Sequence, residues 1–333
     1  MEFALVSCAL ARSVRLVAFS LSVLAAAAAP VTISAQTYPA KPVRFIVPAA
    51  PGGGLDLVAR IAAGKLTELW NQPVLVENKP GANFIIGTDF VAKSPPDGHT
   101  LLLTASAALT INPIVFPDLP YRPARDFVPI TLLTEYAFVL LVNNSVPANS
   151  VQQLLAHLRA NPGKLNHASN SASTMLVSEL FKSLANVDYA DINYKGGVLA
   201  AAATAAGETQ FCFVDIGSGM GQMKAGRVRA LAVAAVQRYK LQPEIPTLAE
   251  AGVPRFSAAT WSVVLAPSRT PAEIVTRVNA DLRRVLSFQD VLSKMEATGT
   301  VAVGNSSEEA SRVLLAETEK RSQLVKERNI RFK

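Results

Sequence analysis

Short apolar runs alternate along this chain with stretches of helical period, separated by glycine- and proline-rich turns. Residues 44–47 form the first such run. Its unbroken apolar character suits a strand buried on both faces. Pro51 ends it, and Gly52-Gly53-Gly54 follow. From Leu55 the period changes, and Leu55, Val58, Ile61, Ala62, Leu66 and Leu69 fall on one helical face. A strand over 74–76, a turn over 78–83 and a helix over 84–93 come next. The turn at 94–98 leads to a strand over 100–104 that opens into the small-residue loop 105–108. Three such units in a row predict a parallel sheet with helices on both faces.

After a proline-rich, irregular stretch over 112–129, strands are predicted over 130–133 and 138–142, and the alternation restarts. Ser150 with Gln153 reads as a capping box before a helix that Asn161-Pro162-Gly163 stops. A strand over 165–168, a polar loop over 169–174 and a helix over 175–184 follow. Then come a strand over 192–194 ending at Lys195-Gly196-Gly197, an Ala-rich helix over 198–206, a strand over 210–216 and a turn over 217–221. The remainder reads as a strand over 229–236, a short helix over 246–252, a strand over 261–266, and helices from Thr270 to about 286, over 290–298 and over 307–329. Thr270-Pro271-Ala272-Glu273 combines a capping box with Pro at the first helical position. These are two α/β units with no flexible linker, and ligand loops at strand C-termini predict a cleft between them.

Composition sharpens this picture. With 50% hydrophobic and 17% charged residues, a chain of 333 residues can bury the cores of about two domains. The formal charge is +7, but Lys and Arg are scattered without interleaved aromatics, which argues against nucleic acid. Arg12 and Arg15 precede an apolar stretch over 16–29, and the small residue Ala35 gives a cleavage site before Gln36. Residues 1–35 therefore read as a signal peptide, whose removal leaves a charge of +6 and a soluble, exported protein. Cys212 is then the one remaining cysteine, so no intramolecular disulfide can form, and its apolar neighbours predict a core position.

The glycine turn at 52–54 brings free N–H groups and a helix N-terminus to one point, which suits an anion. It lacks the Gly-Lys-Ser/Thr of a P-loop and the spacing of a dinucleotide fingerprint. His99, His157 and His167 have no metal spacing, and no cofactor is expected. No G-x-S-x-G elbow is present, although His167 near Ser169 or Ser171 keeps an exported hydrolase open as an alternative. Asp56 falls in a first helical turn, where capping is the plainer role; Asp215 ends a strand beside Gly217 and suits a ligand contact or a turn. Loops rich in Gly, Ser, Ala and Thr favour binding over turnover.

Several stretches carry a family resemblance: Pro51-Gly52-Gly53 with Asp56, Glu77-Asn78-Lys79-Pro80-Gly81-Ala82, Pro96-Asp97-Gly98, Tyr194-Lys195-Gly196-Gly197, Pro246-Thr247-Leu248-Ala249-Glu250-Ala251-Gly252, and Trp261 with Ala266-Pro267. The chain resembles the Bug (Bordetella uptake gene) family of solute receptors of tripartite tricarboxylate transporters. The resemblance implies a two-domain periplasmic binding protein of the flytrap type. One domain would comprise 36–142 with 240–333, the other 143–239, hinged near 141–143 and 238–242. It implies a monomer that captures a small carboxylate in the periplasm, works with integral membrane transporter subunits and catalyses nothing. A receptor that signals to a sensor protein is the alternative. The ligand residues it implies in the first domain are Ala49, Ala50, Gly52, Gly53, Gly54, Asp56, Ala82, Thr104, Ala105 and Ser106. In the second they are Ser169, Ser171, Ser173, Thr174, Lys195, Gly196, Gly197 and Asp215. Departures from the family pattern are the glycine-poor loop 168–174 followed by Met175, and Phe84 and Ala49 where a glycine and a bulkier residue are usual.

Overall fold

The computed structural model describes residues 38–327 and 330, apart from 236, 255, 257 and 259. The expected signal peptide, 1–35, lies outside the described residues. The apolar run at the start of the mature chain forms β1 (Val43–Val47), and the helical period after the glycines forms α1 (Gly54–Trp70). The alternation continues through β2 (Val74–Asn78), α2 (Ile85–Ala92) and β3 (Thr100–Ala105). The irregular stretch holds three single-turn helices, α3 (Ala107–Thr110), α4 (Asn112–Val115) and α5 (Pro123–Asp126). Two strands follow back to back, β4 (Phe127–Tyr136) and β5 (Phe138–Asn143). Next come α6 (Val151–Ala160), β6 (Asn166–Ser169), α7 (Ala172–Ala185), β7 (Ala190–Asn193), α8 (Gly197–Ala206), β8 (Phe211–Asp215), α9 (Ile216–Lys224) and β9 (Val228–Val233). The chain closes with β10 (Thr260–Pro267), α10 (Ala272–Val285), α11 (Gln289–Ala297), β11 (Thr300–Ala302) and α12 (Ser307–Glu327).

These strands form two sheets, ordered β11-β4-β10-β3-β1-β2 and β7-β6-β8-β5-β9. The expected parallel pairing holds for β2-β1-β3 and for β7-β6-β8, while β10, β4 and β11 in one sheet and β5 and β9 in the other run antiparallel to their neighbours. Each sheet has its own core. Ile46, Leu102, Leu132 and Val263 pack together on the first, and Phe138, Leu140, Phe211 and Phe213 on the second. This is a two-lobed, mixed α/β binding-protein fold.

The lobe boundaries differ from the expected ones. The chain leaves the first sheet at Tyr136 and enters the second at Phe138, so Ala137 is the crossing and β5 belongs wholly to the second lobe. Leu248, Ala251, Val253 and Phe256 still pack in the second core, and the chain rejoins the first sheet only at β10. The expected hinge over 141–143 is thus the second half of the buried strand β5. Ala310 and Leu314 of α12 pack in the first core while Leu324 lies against the second, so this helix ties the lobes together.

Three further differences have local causes. The glycine-rich segment expected as a turn over 217–221 is helical, α9, because Asp215 caps it and Gly219 packs where a side chain would strike Leu141. The segment expected as a helix over 246–252 is a turn instead: Gly252 takes φ 96°, and Thr247 and Glu250 exchange side-chain and backbone hydrogen bonds that close it on itself. The polar loop 169–174 is half absorbed into α7, since Ser171 and Thr174 form a capping box three residues before the expected helix start. At Ser150 only half of the expected box forms: its side chain accepts from the Gln153 N–H, whereas the Gln153 amide reaches Asn149.

Candidate functional site

A cavity of about 850 Å³ lies between the two lobes. The β1–α1 loop, the β2–α2 loop and the end of β3 line it from the first lobe; the starts of α7, α8 and α9 line it from the second. The lobes touch at two places. At one, a Cβ at Gly196 would stand 3.8 Å from that of Ala50. At the other, Ala107 and Ile111 cluster with Ala172 and Leu176.

Asp56 builds the first loop from behind. Its carboxylate accepts from the Gly52 N–H (2.9 Å), Arg60 Nε (3.0 Å) and Asn78 Nδ2 (2.9 Å), and Asn78 Nδ2 also holds the Ala49 carbonyl at 3.0 Å. Burial is the largest influence on Asp56 and pushes its carboxyl up, but the hydrogen bonds from Arg60, Gly52 and Asn78 together outweigh it and hold the group below its ordinary value. The second loop stores strain. After Gly81, the non-glycine residues Ala82, Asn83 and Phe84 take φ of 46°, 53° and 73°, conformations that each cost roughly 1–3 kcal/mol and collect at functional sites. Asn112 Nδ2 fixes this turn by donating to the Asn83 carbonyl at 2.9 Å.

Five helices begin at the cavity. Ser171 and Asp215 cap α7 and α9 with their side chains. The N-cap residues of α1, α2 and α8 are Gly53, Phe84 and Gly196, and none caps its helix by a side chain. The first N–H groups of these three helices have no intrahelical partner, and their dipoles favour an anion. Among the described residues the lining carries one ammonium, the exposed Lys195 at the rim, one carboxylate, Asp215, and no arginine. Leu55, Val58, Phe84, Phe138, Val198 and Leu199 give it apolar walls. Asn170 adds an amide whose Oδ1 is buried without a hydrogen-bond partner among the described residues.

Asp215 stands at the floor. One oxygen accepts the Ser218 N–H at 2.8 Å. The carboxylate lies against backbone, so that a Cβ at Gly54 would come within 2.7 Å of Oδ1 and one at Gly197 within 3.1 Å of Oδ2. Burial raises its carboxyl above the ordinary range, more than the Ser218 contacts lower it.

The structure brings twelve of the eighteen expected residues to the cavity wall: Ala49, Ala50, Gly53, Gly54, Ala82, Ala105, Ser171, Ser173, Lys195, Gly196, Gly197 and Asp215. The other six are placed behind it. Gly52 and Asp56 serve the loop's own hydrogen bonds. Thr104 lies fully buried in β3, paired with Val263. Ser106 Oγ bonds Thr260 and the Trp261 N–H. Ser169 is buried at the end of β6, and the Thr174 hydroxyl accepts from the Asn170 and Ser171 N–H groups and donates to the Ser171 carbonyl. The pattern reading passed over the aromatic floor, Tyr136 and Phe138, whose rings meet edge to face at 5.9 Å. The signal was there in two aromatics flanking the single residue between two strands.

The hydrolase alternative lacks a base. His167 is fully buried; its Nε2 accepts the Phe213 N–H at 3.0 Å, so Nδ1 carries the proton and donates it to Asp191 at 2.6 Å. Neither nitrogen is left for Ser169 or Ser171. Cys212 is buried as expected, and burial pushes its thiol up to about 12.

Two α/β lobes enclosing a cavity lined by helix starts and small residues define a solute-binding receptor. The matching family model is the tripartite tricarboxylate transporter family receptor, over residues 58–330, and the chain belongs to that family. It is 34% identical to the protein BugT of Bordetella pertussis over 283 residues, 84% of this chain and 87% of that one. Among solved structures it is similar to the Rpa4515 protein of R. palustris with adipate (30% identity, TM-score 0.85, 88% of this chain and 99% of that one). It is also similar to MatC of Rhodopseudomonas palustris with bound malate (28% identity, TM-score 0.82, 86% of this chain and 100% of that one). The family is one of periplasmic binding proteins, and the chain is a receptor, not an enzyme.

Proposed function

We propose that this chain is the periplasmic, monomeric receptor of a tripartite transporter and that it captures a small organic carboxylate in the cavity between its lobes. The observation that carries the reading is the start of α2, which has no side-chain cap and opens on the cavity together with the uncapped starts of α1 and α8 that lie beside Asp215. Relatives with 30% and 28% identity hold adipate and malate, which supports a carboxylate here. A volume of about 850 Å³ falls within the roughly 300–1,000 Å³ of small-molecule sites. Each helix start contributes about 0.3–1 kcal/mol toward an anion, more where water is excluded. Lys195 adds a full charge at the rim.

The moving bodies in this reading are 39–136 with 260–327 on one side and 138–256 on the other, turning about Ala137. The ligand bridges both lobes and so favours the closed form, which the membrane subunits take up. Titration calorimetry of the chain from Gln36 with mono- and dicarboxylates tests the binding step. Co-purification of membrane subunits with the liganded receptor, and their absence without ligand, tests the partnership. Light scattering at the monomer mass checks the oligomeric state.

A further inference from the structure

The carboxylate-receptor reading, on which this inference rests, leaves the other end of the ligand unassigned, and the floor of the cavity addresses it. Asp215 is the one carboxylate among the described lining residues, and no described ion pair involves it. Its immediate neighbours are backbone and hydroxyl groups: the Ser218 N–H at 2.8 Å, the glycines 54, 197 and 217, and the Ser218 hydroxyl beside Gly197. It thus already sets a negative charge against the starts of α1, α8 and α9. What stays positive is the start of α2 with its strained turn and, at the rim, Lys195. The cavity lining thus combines one carboxylate with the uncapped start of α2, one ammonium and apolar side chains.

A second ionised carboxylate beside Asp215 would meet a like charge inside the cavity between the lobes. Like charges brought together there disfavour binding. A hydroxyl or ammonium group would instead give the Asp215 carboxylate a further hydrogen-bond donor, and a charge-assisted bond of that kind is about twice as strong as a neutral one. We propose that Asp215 reads a hydrogen-bond donor on the ligand, so that this receptor takes monocarboxylates bearing a hydroxyl or amine at the end remote from the carboxylate and disfavours dicarboxylates of the same length.

The test compares matched probes by titration calorimetry at pH 7.5: ω-hydroxyhexanoate, hexanoate and adipate on an aliphatic frame, and para-hydroxymethylbenzoate, para-methylbenzoate and terephthalate on an aromatic one. The expected result is that, in at least one frame, the hydroxy acid binds about tenfold or more tighter than both the diacid and the plain acid, a tenfold ratio being about 1.4 kcal/mol. Asp215→Asn keeps a good N-cap for α9, and it should reduce the preference over the diacid to about threefold or less by improving diacid binding. Diacids that bind wild type as tightly as the hydroxy acids overturn the inference and leave the receptor reading standing; a protonated Asp215 that donates to the second carboxylate would give this result. An unchanged preference in Asp215→Asn overturns it as well. Silence from all six probes removes the carboxylate reading and this inference together.

Discussion

Asp56 shapes the first loop of the cavity without facing the cavity itself. Its carboxylate is spent on Gly52, Arg60 and Asn78, and what it offers the ligand is the fixed course of the loop over 49–54. Asp56→Ala leaves the Gly52 N–H and the Asn78 amide without this acceptor. Losing such hydrogen bonds to a buried charged group costs about 1–3 kcal/mol, so a drop of that size in urea-denaturation stability is expected, together with weaker ligand binding. Asp56→Asn should retain part of both. A second residue-scale device sits in the other lobe. Burial is the main reason that His167 binds its proton less readily than in the unfolded chain. Below about pH 6.5 the unfolded state takes up a proton that the native state refuses, and stability falls. Burial opposes ionisation of Asp191, but His167 and Lys182 outweigh it and bring its carboxyl down to about 2 from 3.8. Its contribution of roughly 2 kcal/mol is present above pH 4 and lost between about pH 4 and 2. Urea midpoints from pH 8 to 3 should therefore decline in two phases, and His167→Asn should remove the first.

At the scale of elements, period and punctuation made most of the fold legible. The helix period from Leu55 and the apolar runs at 44–47 and 100–104 match α1, β1 and β3 to within a residue or two. What stayed hidden depends on contacts remote in sequence. α9 contains Gly217, Gly219 and Gly221, which locally favour a turn. Two of them are required by packing: a side chain at Gly217 would collide with the Thr298 carbonyl of the other lobe, and one at Gly219 with Leu141. Gly221 has open space around it. Gly217→Ala should cost about 1–3 kcal/mol by overpacking, whereas Gly221→Ala should add up to about 1 kcal/mol through helix propensity; chemical denaturation of the two variants checks both signs. The three-residue strand β11 was equally invisible, since its pairing with β4 comes from 164 positions away at Thr300–Tyr136.

The molecule as a whole is two sheets joined at Ala137 and held across the back by α12. The sequence placed the Gly-rich loops at a cleft because such loops follow strands. It could not distinguish residues that face the cleft from those that support it, and Asp56, Thr104 and Thr174 all fell on the supporting side. Ligand that bridges the lobes should shift the population toward the closed form. Small-angle scattering should accordingly show a smaller radius of gyration with saturating ligand than without it.

Binding of a small carboxylate in the interlobe cavity is read out by a thermal-melt screen of the chain from Gln36 against mono-, hydroxy- and dicarboxylates. A ligand at about a hundred times its dissociation constant stabilises the native state by about 2.7 kcal/mol, enough to raise the melting temperature by several degrees. Such a rise is expected for at least one carboxylate, and a smaller one in the cavity-wall variant Gly197→Val, where a side chain would strike Ser218 and Asp215. A melting temperature that no carboxylate moves, in a preparation that native mass spectrometry shows free of any bound small molecule, would contradict it.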